Sequence, residues 1–166
     1  KYYYDRADHY DQLANPEFFK SRSITNGEFY LMTCHRRENV HEQASLENIL
    51  SLVGMADRQV YFPASYRTQR VLSETGLVLP DNVVMVDPVG YQEFLLLLTR
   101  SHGVITDSGT VVEEACVLQV PALQMRKSTE RPQVYDVGAC VKYAPAIPEN
   151  YPHKECLDSL ENLWGK

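Results

Sequence analysis

The sequence predicts an α/β fold, a parallel sheet with helices on both faces, and three observations lead there. Short runs rich in β-branched and aromatic residues alternate with helical stretches along the chain, the pattern of strands joined by crossovers. Residues 103–106 read as a buried strand that empties through Asp107-Ser108-Gly109-Thr110 into the first turn of a helix. Four strand ends are followed by a cation, a hydroxyl or a cluster of backbone N–H groups, where open α/β sheets take their ligands.

The elements follow in order. Residues 1–26, rich in Tyr, Asp and His, read as an incoming linker with a short helix around 16–20. Strands are expected at 29–34, 59–62, 83–86, 103–106, 122–124 and 139–143, from their β-rich composition. Apolar residues at helical spacing predict helices at 46–56, 68–75, 91–100, 111–118 and 153–163, with a further short helix opening near Pro132. The three prolines within 144–152 exclude a regular element there and make it a connector. The stripe Cys156, Leu157, Leu160, Leu163 and Trp164 could pack on this core or on another domain. The expected organisation is therefore a linker and helix at 1–26, a nucleotide-binding domain at 27–150 and a C-terminal helix at 151–166.

Composition narrows the function classes. With 166 residues and 44% hydrophobic content, the chain carries enough apolar mass for one core and not comfortably for two. A net charge of -6 argues against nonspecific nucleic-acid binding, although local arginines can still collect phosphates. No apolar run approaches the roughly 20 residues of a membrane span, and residues 95–98 sit inside a short helical pattern. Cys34, Cys116, Cys140 and Cys156 form no CxxC pair and read as small hydrophobes, which suits a reducing cytoplasm. No signal peptide is visible, and an opening on Lys1 rather than Met suits a fragment or an excised domain. No metal site and no cofactor is expected.

The strand-to-helix junction is an anion site by its backbone alone: unpaired N–H groups and the positive end of the helix dipole point outward. Glu113 and Glu114 would repel a phosphate if both faced it, and suit neutral hydroxyls such as those of a ribose. The other strand ends supply His35-Arg36-Arg37-Glu38-Asn39, Ser65-Tyr66-Arg67-Thr68, and Arg126-Lys127-Ser128-Thr129-Glu130-Arg131. Together they suit a diphosphate ester, whose charge needs several fixed donors and whose departure needs stabilisation as charge develops. Read singly, His35 could be an ordinary loop histidine, Arg36 and Arg37 a solvated pair, Glu38 a cap or an arginine partner, and Phe94 core packing. Arg131 ahead of Pro132 places a cation at a helix start, a conflict with the dipole that an anion would relieve.

Thr33-x-His35-Arg36-Arg37-Glu38-Asn39, then Asp107-Ser108-Gly109 with Glu113-Glu114-Ala115, then Thr129-Glu130-Arg131-Pro132, stand in order and in compatible spacing. Over residues 29–141 the chain resembles the C-terminal domain of the non-hydrolysing UDP-N-acetylglucosamine 2-epimerases. The resemblance implies a Rossmann-like parallel sheet, the C-terminal half of a glycosyltransferase-B architecture. It implies a UDP-sugar substrate held against an N-terminal domain of the same protein, and a homodimer at full length.

Residue by residue, the resemblance implies that Ser108, Gly109 and Thr110 take the diphosphate and that Glu114 holds the ribose hydroxyls. Phe94 would lie against uracil and Arg131 at the phosphate and sugar end. Arg36, Arg37, Glu38, Arg67 and Arg126 would complete the substrate site, and His35 would act near the leaving phosphate. The family's reaction inverts C2 by eliminating UDP to a 2-acetamidoglucal and adding it back, with the proton-removing carboxylates in the N-terminal domain.

The chain departs from the family at several positions. Thr110 replaces a second glycine, and a β-branched residue disfavours φ > 0, which implies a reshaped loop. Val112 replaces a glutamine, Lys127 an aspartate and Gln133 a glutamate. Ser65 stands where a histidine helps bind an activating second UDP-sugar in bacterial members, which argues against such activation here. Two other classes stay open: the donor-binding half of a UDP-sugar glycosyltransferase, and a nucleotide-sugar binding module without catalysis.

Overall fold

The structure, a computed structural model, describes residues 16–126 and 140–163. The linker expected before residue 16, the helix near Pro132, the start of the last strand at Ala139, and Trp164 lie outside the described residues.

Six strands build one sheet: β1 (Phe29–Thr33), β2 (Gln59–Pro63), β3 (Val83–Val86), β4 (Gly103–Thr106), β5 (Ala122–Met125) and β6 (Cys140–Tyr143). Their order is β3-β2-β1-β4-β5-β6, and every neighbouring pair is parallel. Winding runs outward from β1 in one direction and from β4 in the other. The loops leaving these two central strands therefore diverge and leave a crevice at the carboxyl edge, the switch point of a doubly wound sheet.

Among the described residues seven α-helices accompany the sheet: α1 (Pro16–Lys20), α2 (Arg37–Val40), α3 (Gln43–Gly54), α4 (Tyr66–Thr75), α5 (Tyr91–Arg100), α6 (Gly109–Leu118) and α7 (His153–Glu161). Successive strand residues point to opposite faces, and each face is buried under its own helices. Tyr30, Met32, Val60, Phe62, Ile105, Leu123 and Met125 pack with α3, α4 and α7. Phe29, Leu31, Tyr61, Val104 and Ala122 pack on the other side with α1, α5 and α6. Burial on both faces explains why the strands are nearly continuous apolar runs rather than alternating ones. Among the described residues no helix is long and apolar enough to cross a membrane.

The expected elements stand within a few residues of their sequence assignments, and the differences have local causes. α4 and α6 begin two residues earlier than the apolar spacing indicates, because Ser65 and Ser108 cap them by accepting from Thr68 N and Val111 N. α2 was not anticipated: four residues are too few to show a period, and it packs only Asn39 and Val40 inward.

The last helix docks on the sheet through Cys156, Leu157 and Leu160, with Leu163 packed beside them. Polar contacts fix both of its ends. The Tyr143 hydroxyl lies 2.8 Å from His153 Nε2. At the other end Glu161 accepts from the Tyr30 hydroxyl at 3.0 Å and from Arg58 Nη2 at 3.3 Å, and pairs with His102 Nε2 at 2.9 Å.

Burial lowers the pKa of His153 from its ordinary 6.5, so the folded protein favours the neutral ring. Stability from this group is complete above that ordinary value and is lost as pH falls from there through the folded value. We expect His153→Ala to cost about 1 kcal/mol in urea unfolding at about pH 7.5, the scale of one hydrogen bond. The gap between variant and wild type should narrow at about pH 5.5, since only the wild type loses stability by protonating this ring. A gap that widens on acidification would contradict the assignment.

Candidate functional site

The two central loops are joined by one carboxylate. Asp107 follows β4 and is fully buried. Its Oδ2 accepts from His35 N at 2.9 Å, Arg36 N at 2.8 Å and Asn39 Nδ2 at 3.3 Å. Its backbone carbonyl accepts from Arg36 Nε at 2.8 Å, which lays the guanidinium along the start of the β4 loop. Asn39 also donates to Met125 O at 3.0 Å, so the same cluster reaches the end of β5. One strand layer below, the Thr33 and Thr106 hydroxyls lie 2.5 Å apart across β1 and β4.

These contacts leave a defined set of groups uncommitted. Ser108 N donates to Thr106 Oγ1 at 3.0 Å, and Val111 N donates to Ser108 Oγ at 3.3 Å. The first backbone bond running along α6 starts from Val112 N. Gly109 N and Thr110 N, between them, bond to no described residue. Two N–H groups at the positive end of a ten-residue helix thus remain for a ligand anion. Thr110 is the second residue of α6 and is not among the residues with positive φ. Its helical backbone accepts a β-branched residue without strain.

The carboxylate expected to meet hydroxyls is already engaged by a tyrosine hydroxyl. Glu114 is buried, and its Oε2 accepts from the Tyr91 hydroxyl at 2.9 Å. Burial raises its pKa and the Tyr91 hydrogen bond opposes that rise. Tyr91 opens α5, so this contact ties the ends of the β3 and β4 crossovers together. Phe94 lies three residues further along α5, partly buried against the apolar cluster on that face.

The remaining expected site residues fall at the same carboxyl edge with different degrees of order. His35 is 57% exposed, with Nδ1 3.5 Å from Asp107 Oδ1. Arg37 and Glu38 are exposed on α2, and Arg67 is exposed in the first turn of α4. Arg126, just past β5, is only 12% exposed; its Nε is 3.9 Å from Glu38 Oε1, and its buried Nη1 has no hydrogen-bond partner among the described residues. Glu38, Asn39, Arg126 and the 144–146 segment line a cavity of about 260 Å³. Arg131, Lys127 and Gln133 lie outside the described residues. Deeper in, Cys34 is held far above the ordinary thiol range by burial and by the neighbouring Asp107 charge, which makes it an inert core thiol.

Sequence reasoning did not single out Asp107, Asn39 and Tyr91, which organise the site. Asp107 and Asn39 belong to the very strings that carry the resemblance, and a polar residue directly after a buried strand was the available signal. Nothing in the sequence around Tyr91 pairs it with Glu114, 23 residues away.

The chain resembles known proteins over most of its length. The family model for UDP-N-acetylglucosamine 2-epimerase matches residues 2–150. A UDP-N-acetylglucosamine 2-epimerase of Methanocaldococcus jannaschii is 37% identical over 137 residues, covering 78% of this chain and 37% of the relative. A UDP-2,3-diacetamido-2,3-dideoxy-D-glucuronate 2-epimerase of Pseudomonas aeruginosa is 39% identical over 116 residues, 68% of this chain and 32% of that protein. Among solved structures, the M. jannaschii enzyme in complex with UDP-GlcNAc and UDP superposes with a TM-score of 0.73 at 32% identity, over 90% of this chain and 41% of that one. The chain spans 37% to 40% of the length of three such curated relatives. The family model's match over residues 2–150, with a relative 37% identical over 78% of the chain, identifies this chain as a member of the UDP-N-acetylglucosamine 2-epimerase family.

Proposed function

We propose that this chain is the UDP-binding part of a 2-epimerase acting on UDP-N-acetylglucosamine or a related UDP-hexosamine. The observation that carries the reading is the pair of uncommitted N–H groups at Gly109 and Thr110, beside an arginine fixed by Asp107. That arrangement suits a diphosphate: backbone donors and the helix dipole meet one phosphate, and the free Nη groups of Arg36 meet charge that develops on the other. Glu114, held by Tyr91, is suited to ribose hydroxyls, and Phe94 to the uracil. Arg37, Glu38, Arg67, Arg126 and Arg131 complete the proposed substrate set. The relatives' range of hexosamine substrates leaves the sugar open within that class.

The proposed chemistry is elimination and re-addition. A base supplied by the rest of the protein removes the C2 proton. The C–H electron pair forms the C1–C2 double bond, and the C1–O pair leaves on the UDP β-phosphate. Return of a proton to the opposite face of C2 and of UDP to C1 gives the epimer. Breaking the anomeric bond places growing charge on the phosphate oxygen, and a preorganised cationic cradle lowers that barrier most. His35, at the same edge, acts on the leaving phosphate as an electrostatic or proton-transfer partner. The remaining domain, a homodimeric assembly and a cytoplasmic setting belong to this proposal.

Incubating the full-length protein with UDP-N-acetylglucosamine in deuterated water should introduce deuterium at C2, followed by NMR. Transfer of the sugar to an acceptor without C2 exchange would instead assign a glycosyltransferase. His35→Ala should lower C2 exchange by on the order of 100-fold or more while UDP binding changes little; equal losses in both would make His35 a binding residue only. Arg131→Ala should weaken UDP binding by about 2 kcal/mol in calorimetry, the scale of a hydrogen bond to a charged group. An unchanged dissociation constant would remove Arg131 from the site.

A further inference from the structure

The Asp107 carboxylate is used unevenly. Oδ2 takes three donors, whereas Oδ1 is buried and has no hydrogen-bond partner among the described residues. A buried carboxylate oxygen without a donor is costly and calls for an explanation, a functional role among them. His35 Nδ1 lies 3.5 Å from it, too far for a formed N–H···O bond and within a small ring movement of one. The ring has room to move, being more than half exposed. The backbone of His35 does not, since its N–H is fixed on Oδ2 of the same carboxylate. The other polar groups packed against this carboxylate are committed or weak. Arg36 Nε is on the Asp107 carbonyl, Asn39 is shared between Oδ2 and Met125 O, and the buried Cys34 thiol, which also hydrogen-bonds to this side chain, is only a weak donor.

We propose that Asp107 is the positioning residue for His35: its free Oδ1 accepts Nδ1–H and so turns Nε2 toward the substrate. The proposal rests on the reading of His35 as the group acting on the leaving phosphate. A carboxylate behind Nδ1 fixes the neutral ring in the Nδ1–H tautomer and steadies the cation formed when Nε2 takes a proton. The same residue builds the anion loop through Arg36 and the start of α6, so the cradle for UDP and the orientation of its histidine share one anchor.

The test is nitrogen NMR of the full-length protein labelled at histidine, with and without UDP, at a pH where the ring is neutral. The expected result is a His35 signature of Nδ1–H with an unprotonated Nε2, strengthened by UDP. Asp107→Asn keeps an oxygen to accept the His35 and Arg36 amides but presents an NH2 to Nδ1, which forces the opposite tautomer. We expect that inversion together with a loss in C2 exchange of at least about 100-fold, on the scale of one general acid–base contribution, and with KM changed little. Asn39→Ala loosens Oδ2 without touching Oδ1 and should keep the wild-type tautomer. A wild-type His35 carrying its proton on Nε2, or Asp107→Asn with an unaltered tautomer, overturns the proposal. The wild-type spectrum decides by itself if the variant fails to fold. An Nδ1–H signature in a protein without C2 exchange supports the pair and overturns the epimerase reading instead.

Discussion

A buried carboxylate at the mouth of the two central strands holds the carboxyl edge of this sheet together. In a doubly wound sheet the loops leaving β1 and β4 run in opposite directions, and nothing in the strand pairing fixes one against the other. Asp107 supplies that fixing with three donors on one oxygen and a fourth on its carbonyl, all from the β1 loop or from α2. Because the carboxylate is fully buried, these bonds are worth more than exposed ones and removal of any member leaves a desolvated group behind. The geometry of the candidate anion site follows: with Ser108 N and Val111 N spent on internal caps, the two N–H groups between them are the ones left without a partner among the described residues.

The opposite edge of the sheet is built for stability. There Glu161 gathers the Tyr30 hydroxyl, His102 and Arg58, and Arg58 is also paired with Glu28. Burial raises the Glu161 pKa, but the bonds from Tyr30, His102 and Arg58 outweigh it and hold the carboxylate below its ordinary range. The last helix is tied down by these contacts. At the carboxyl pole Arg37 and Arg67 are exposed and the buried Nη1 of Arg126 has no hydrogen-bond partner among the described residues, which suits a polyanionic ligand.

The strands and both helical layers were legible because burial on two faces writes itself into composition: the runs 29–33, 59–63 and 103–106 carry almost no alternation, and the helices between them carry a clear apolar stripe. The strand-to-helix junction that forms the candidate anion site was legible for a related reason, since a serine and a glycine between a buried strand and a helix mark a capped helix start. What could not be read was long-range pairing of polar side chains. Asp107 and Asn39 are 68 residues apart, and Tyr91 and Glu114 belong to different crossovers. No local propensity reports such contacts. α2 escaped for the opposite reason, its single turn being shorter than the period that reveals a helix.

The central claim is that the loops after β1, β4 and β5 form one site for the pyrophosphate of a uridine nucleotide, with Gly109 and Thr110 as its backbone donors. Amide chemical-shift mapping during a UDP titration tests it most directly. The account predicts the largest changes at Gly109, Thr110 and Arg36, with smaller ones at His35 and Arg126, and none at Tyr30, His102 or Glu161 on the opposite pole. Shifts centred on that opposite pole, or a titration that leaves Gly109 and Thr110 unmoved, would contradict it.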